Sequence, residues 1–140
     1  MGVREKARDI AVQALYQLSL RGMEDLEGIA AFEWIDEDSY EGITSQAGTW
    51  FRGAAAALAS IDDIIDRHLE NWAPDRVGRM ERAILRLGTY ELTGSEQIAP
   101  EIVINECVNL AKRYCDFDSY KFVNGVLDAV AGSLGRKEIS

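Results

Sequence analysis

Hydrophobic residues recur at helical spacing along almost the whole of this chain. Over residues 3–20, Ala7, Ile10, Ala11, Ala14, Leu15 and Leu18 follow the i, i+3, i+4, i+7 rule, and Gly22 supplies a stop. Residues 24–42 carry a weaker pattern, in which Leu26, Ile29, Ala30, Phe32, Trp34 and Ile35 predict one short helix before a break near 39–42. Thr44 is then placed to cap a long helix over 45–69. Its seam of Ala47, Trp50, Phe51, Ala54, Leu58, Ile61, Ile64, Ile65 and Leu69 marks it as the central scaffold. Asn71-Trp72-Ala73-Pro74 interrupts the pattern, because proline suits the first turn of a helix and not its middle. The next helix reaches Thr93 with a bend at Gly78 and an apolar face of Val77, Met80, Ile84, Leu87 and Leu92. Helices over 100–114 and 119–134 complete the series, the last with Asp118 as cap and Gly135 as stop. No segment alternates as a half-buried strand would. The expected fold is all-α, a bundle of six to seven helices in a single domain spanning 1–140.

The polar positions of these helices hold the candidate chemistry. In the last helix Phe122, Val123, Val126, Leu127, Val130 and Leu134 form one apolar face, and Lys121, Asn124 and Asp128 line the opposite one. Gly125 and Gly132 border that polar stripe. A glycine inside a helix costs roughly 1 kcal/mol against alanine, so either another helix packs closely there or a partner chain or nucleotide approaches the backbone. Arg76, Arg79, Arg82 and Arg86 form a basic stripe opposite the Ile84 face, Arg4, Lys6 and Arg8 crowd the start of the chain, and Lys112-Arg113 precede the last helix. If these groups converge they contact phosphates, while Tyr16, Tyr114, Phe117 or Tyr120 stack on unpaired bases. The alternative is that each arginine pairs with a local acid, and for Arg86 an internal ion pair is at least as strong a reading. Glu81 falls inside an apolar arc with Val77 and Ile84, so its carboxylate must pair internally or face a partner.

Charge changes this picture less than its total suggests. The formal net charge is −9, but residues 22–51 hold eight acids and neither Lys nor Arg, and the remainder balances to −1 with 15 bases and 16 acids. The acidity is local, and a basic patch elsewhere is compatible with it. The two cysteines, Cys107 and Cys115, lie in one predicted helix about 12 Å apart, too far to bridge. With one histidine, His68, and no Cys/His cluster, no metal framework is expected, and no cofactor motif or catalytic constellation stands out. The start of the chain lacks the apolar core of a signal peptide and no stretch is long enough to span a bilayer, so a cytoplasmic, non-enzymatic protein is expected.

Four ordered blocks of the chain resemble the NusB family of transcription antitermination factors. They are Ala7-Arg8 with Ala11-Val12-Gln13-Ala14-Leu15-Tyr16; Glu81-Arg82-Ala83-Ile84-Leu85-Arg86 with Tyr90-Glu91-Leu92; Val103-Ile104-Asn105-Glu106 with Leu110-Ala111-Lys112; and Ser119 with Lys121-Phe122-Val123-Asn124-Gly125-Val126-Leu127-Asp128. The resemblance implies two small helical subbundles and a non-catalytic role. Such proteins bind the boxA element of ribosomal-operon RNA together with NusE, a small-subunit ribosomal protein, within the antitermination complex of RNA polymerase. Carried onto this chain, the RNA surface includes Arg4, Lys6, Arg8, Asp118, Lys121 and Phe122, and the complex-forming residues are Tyr16 and Glu81. Position alone adds Arg79 and Asn124 to the RNA surface and Gln13, beside Tyr16, to the partner surface. Acids interleave the opening Arg4-Glu5-Lys6-Ala7-Arg8-Asp9 run where the family often has denser arginine, which predicts weak RNA binding without NusE. Two rivals stay open: the RNA-binding module of an rRNA methyltransferase, for which 140 residues leave no room for a catalytic domain, and a helical adaptor dimer without RNA binding. The sequence does not choose between monomer and homodimer.

Overall fold

A computed structural model describes residues 2–35, 41–70, 72–94 and 98–136. Among the described residues seven α-helices form and no strand does: α1 (Val3–Arg21), α2 (Leu26–Ala30), α3 (Glu41–Ala56), α4 (Leu58–Arg67), α5 (Arg79–Gly94), α6 (Pro100–Tyr114) and α7 (Ser119–Ser133). Single 3₁₀ turns, Met23–Asp25 and Pro74–Arg76, precede α2 and α5.

The buried arc of α1 is wider than its apolar stripe, since Arg8 and Val12 join Ala7, Ile10, Ala11, Ala14, Leu15 and Leu18 inside. Gly22 ends the helix with φ 89°, in the left-handed region that glycine tolerates, and its N–H donates to the Leu18 carbonyl. After the short α2, the Trp34 indole donates to the Ile29 carbonyl at 2.9 Å and closes a local turn. Of the break expected at 39–42, positions 39–40 lie outside the described residues and 41–42 already belong to α3.

The predicted single helix over 45–69 is two helices. Ala57, at φ −105° and ψ 20°, leaves helical geometry between α3 and α4, while hydrogen bonds from Ala57 to Gly53 and from Ile61 to Ala57 carry the chain through the bend. Because α3 starts at Glu41, Thr44 lies inside it and is not its cap. Nor is this segment the central scaffold. That position belongs to α5, which packs against α1, α3, α4, α6 and α7 and buries Ala83, Ile84, Leu85, Leu87, Gly88, Thr89, Glu91 and Leu92. The reason is close approach. A Cβ on Gly88 would stand 2.8 Å from Leu127 Cδ1 and 3.0 Å from Cys107 Sγ, so α6 and α7 press onto the bare backbone of α5. On its other side Tyr90 occupies the space that a side chain on Gly53 would need.

The helices fall into two groups, α1–α3 and α4–α7, with α5 lying against both. In α7, Val123, Val126, Leu127, Val130 and Ala131 enter the core, Phe122 is half-buried, and Leu134 at the far end stays exposed. Among the described residues no helix is long and apolar enough to cross a membrane.

Candidate nucleic-acid interface

The first turns of α5 and α7 meet in an open cleft. Ser119, opening α7, donates through Oγ to Glu81 Oε2 at 2.9 Å, although the two are 38 residues apart. Gly78 makes room for this carboxylate: a Cβ there would lie 2.3 Å from Glu81 Oε1. Around the pair, Trp72 and Phe122 supply an apolar wall with ring centroids 5.2 Å apart, and Arg76, Asp116 and Asp118 supply the polar rim. Of the two alternatives for Glu81, internal pairing is realised. Its partner is a hydroxyl, and it faces an open cleft.

Phe122 also walls a second groove, along the polar side of α7, with Lys121, Gly125, Val126, His68 and Glu70. Nothing lies within 4 Å of a Cβ built on Gly125, so close helix packing does not account for this glycine. His68 is half-buried at the end of α4, where its Nδ1 lies 2.7 Å from the Ile64 carbonyl oxygen. Lys121 and Asn124 are exposed, and Lys121 pairs loosely with Asp118 at 3.6 Å. Tyr120 lies between two cations, with Lys112 Nζ 4.9 Å and Lys121 Nζ 6.0 Å from its ring centroid. Such a ring and its flanking ammonium groups suit an unpaired base and its phosphates.

A polar network links α1 to the end of α6. Tyr114 donates its hydroxyl to Asp9, Gln13 Nε2 donates to Tyr114 Oη at 3.2 Å, and Arg113 pairs with the other Asp9 oxygen at 3.3 Å. Burial, then the bond to Asp9, raises the Tyr114 phenol to about 12. Gln13 is thus engaged within the chain, and Tyr16, one turn further along α1, is half-buried against the core.

The arginines divide sharply. Arg8, expected on the RNA surface, is 3% exposed and does not reach it. Its guanidinium donates three hydrogen bonds to Glu91, at 2.8, 3.0 and 3.2 Å, and stacks 5.1 Å from the Trp50 ring centroid. Burial works against the Arg8 cation, but Glu91 outweighs it and holds the pKa above its ordinary value; burial likewise pushes the Glu91 carboxyl up against the pull of Arg8. The sequence conceals this because a charged residue on an amphipathic helix reads as surface unless its partner, here 83 residues away, is known. Most of the basic stripe is also committed. Arg86 forms a two-pronged pair with Asp62 at 2.8 Å, Arg82 bonds Asp66 and the Pro74 carbonyl, and Arg79, exposed, donates to the Ser19 carbonyl at the end of α1. Arg76 stands on the cleft rim, and Arg4 and Lys6 are exposed.

A sequence model described as the NusB family matches residues 5–132. The chain belongs to the NusB family. It is 42% identical to a transcription antitermination protein NusB of Shewanella woodyi, over 92% of this chain and 95% of that one. It is 37% identical to the protein of that name from Fervidobacterium nodosum, over 96% and 94%. Among solved structures, T. maritima NusB superposes with a TM-score of 0.83 at 41% identity, covering 91% of this chain and 89% of that one. A structure described as antitermination factors NusB and NusE in complex with dsRNA superposes at 0.79 with 34% identity, covering 95% and 98%. The NusB fold is thereby shown for this chain, with its helical architecture.

Within this NusB fold the tertiary structure brings Glu81, Asp118 and Phe122 to one cleft, and Lys121 and Gly125 to the adjoining groove. Arg4 lies elsewhere, on a cleft between the start of α1 and α6. Trp72 and Ser119 complete the first cleft and were not singled out as site residues. The available signal for Trp72 was a large aromatic in a linker just before a helix-opening proline, where nothing obliges it to be buried. Trp72 is 51% exposed and Phe117, in the α6–α7 connection, is 90% exposed.

Proposed function

We propose that this protein is a cytoplasmic, non-catalytic antitermination factor that binds boxA RNA of ribosomal RNA operons together with NusE and promotes read-through by RNA polymerase. The observation that carries the reading is the cleft itself. Glu81, which the family resemblance makes a partner contact, and Asp118 and Phe122, which it makes RNA contacts, line one opening in the tertiary structure. Its lining adds an exposed aromatic in Trp72 and a cation in Arg76, and Lys121 lines the adjoining groove. RNA recognition by splayed bases uses aromatic faces and flanking positive charge in this way. The NusB relative solved with NusE and dsRNA supports the same pairing of ligands.

The RNA contacts are assigned to Arg4, Lys6, Asp118, Lys121, Phe122 and Asn124, and the partner contacts to Glu81, Tyr16 and Gln13. Arg79 is retained at the edge of the RNA surface, since its carbonyl bond leaves it exposed. Fluorescence titration with boxA RNA, with and without NusE, tests the reading. We expect weak binding alone and tight binding with NusE; absence of binding in the presence of NusE refutes it. Light scattering on the same samples detects a homodimer, and a stable dimer indifferent to RNA and NusE supports the adaptor reading in its place.

A further inference from the structure

The Arg8–Glu91 pair is the most buried ionic contact in the described structure, with side-chain exposures of 3% and 0%, and it contributes no group to the Glu81 cleft. A buried ion pair is a poor device for stability alone, since well-packed apolar residues of the same volume commonly do as well or better. It supplies direction instead. Three hydrogen bonds into one carboxylate, together with the stack on Trp50, tie α1 simultaneously to α5 and α3 and fix its rotation about its own axis. The turn that precedes this anchor is thinly held. Ala7 is buried, but Val3 is 53% exposed and faces an open cleft toward Ile102, itself 52% exposed. Arg4 lies one helical turn before Arg8 on the same side and is close enough for its charge to act on Glu91.

We propose that Glu91 is a positioning residue for RNA binding: by gripping Arg8 it holds the first turn of α1 in place, and so sets where Arg4 meets phosphate. This rests on the assignment of Arg4 to the RNA surface made above. Without the grip the first turn frays, and the RNA must order it on binding. The loss is about tenfold in affinity, the scale of ordering one backbone residue.

The test is RNA anisotropy with boxA RNA and NusE over a salt series. Glu91→Gln should weaken RNA binding about tenfold, leave NusE affinity unchanged, and leave the salt slope unchanged because Arg4 still reaches phosphate once bound. If Glu91 only sequesters an RNA-contacting Arg8, the same substitution tightens binding, and the proposal is overturned. Should Glu91→Gln fail to fold, the double variant R8M/E91L retains buried volume without charge. A folded double variant with wild-type affinity, or one whose salt slope falls by about one contact, overturns the proposal as well. In the wild-type chain the Lys6 amide, bonded to the Gly2 carbonyl at 3.0 Å, should show hydrogen-exchange protection; exchange at the rate of an open amide refutes the fixed turn directly. Arg4→Ala separates the two levels: unchanged RNA affinity there sinks the surface assignment itself, whereas a loss there with none in the Glu91 variants sinks only the positioning role.

Discussion

Gly88 and Gly125 carry the same intrinsic helix penalty in opposite surroundings, so one substitution, to alanine, should move stability in opposite directions. At Gly125 nothing stands within 4 Å of the new methyl, and alanine is expected to stabilise by about 0.5–1 kcal/mol through helix propensity alone. At Gly88 the methyl would meet Leu127 Cδ1 at 2.8 Å and Cys107 Sγ at 3.0 Å. Both neighbours are fully buried, so neither swings a free end into solvent. Overpacking of this kind costs about 1–3 kcal/mol, against roughly 1 kcal/mol gained in propensity, leaving a net loss of about 1 kcal/mol. The two variants should therefore differ by about 2 kcal/mol, or about 6 °C in Tm for a domain of this size. Urea melts followed by circular dichroism measure the difference. A Gly88→Ala protein as stable as Gly125→Ala would refute the claim that α6 and α7 close onto bare α5 backbone. The same Gly125→Ala protein carries a functional readout. If the α7 groove takes RNA against its backbone, affinity for boxA RNA with NusE falls while stability rises; a gain in stability with wild-type affinity removes that groove from the RNA surface.

Three further outcomes are expected. Lys121→Glu, at an exposed position, should leave helicity intact and weaken boxA RNA binding by about tenfold at matched salt, and unchanged affinity contradicts its assignment. Arg86→Met removes both bonds to Asp62 and should destabilise by about 1–2 kcal/mol without altering RNA affinity, which separates the structural arginines from the binding ones in a paired melt and titration. Tyr114 bears on alkaline stability: with its phenol raised from 10.0 to about 12, the folded protein holds this proton while the unfolded chain releases it. Stability from this group is present below pH 10 and declines as pH rises from about 10 to 12, so Tyr114→Phe should flatten the alkaline limb of a Tm-against-pH curve. An unchanged limb dismisses the buried Tyr114 phenol as its cause.

Helical periodicity made the all-α class and most of the core faces of α1, α5 and α7 legible, because one apolar stripe per helix is a local property of the chain. The bend at Ala57 was not legible, as alanine-rich sequence gives no local signal for leaving a helix. The central place of α5 was misassigned to 45–69 for a related reason. Centrality depends on how many neighbours approach a helix, and Gly53 and Gly88 permit those approaches from different partners. Among the charges, Arg4 and Lys6 stay on the surface where expected, while Arg8 does not, because its carboxylate partner lies on another helix.

By itself, then, the sequence determined the helical class and most of its helical segments, the family resemblance, and a set of polar residues with no obvious local role. Only the tertiary structure decided which of those residues are occupied inside the molecule and which stay open at its surface. Arg8, Arg82 and Arg86 were drawn into pairs with acids on other elements; Glu81, Asp118 and Phe122 were gathered around one cleft; and Gly125 was left beside open space. The physical reason is range. Helix formation is settled among neighbours three and four residues apart, whereas the worth of a charge or a bare backbone depends on what the rest of the chain brings against it.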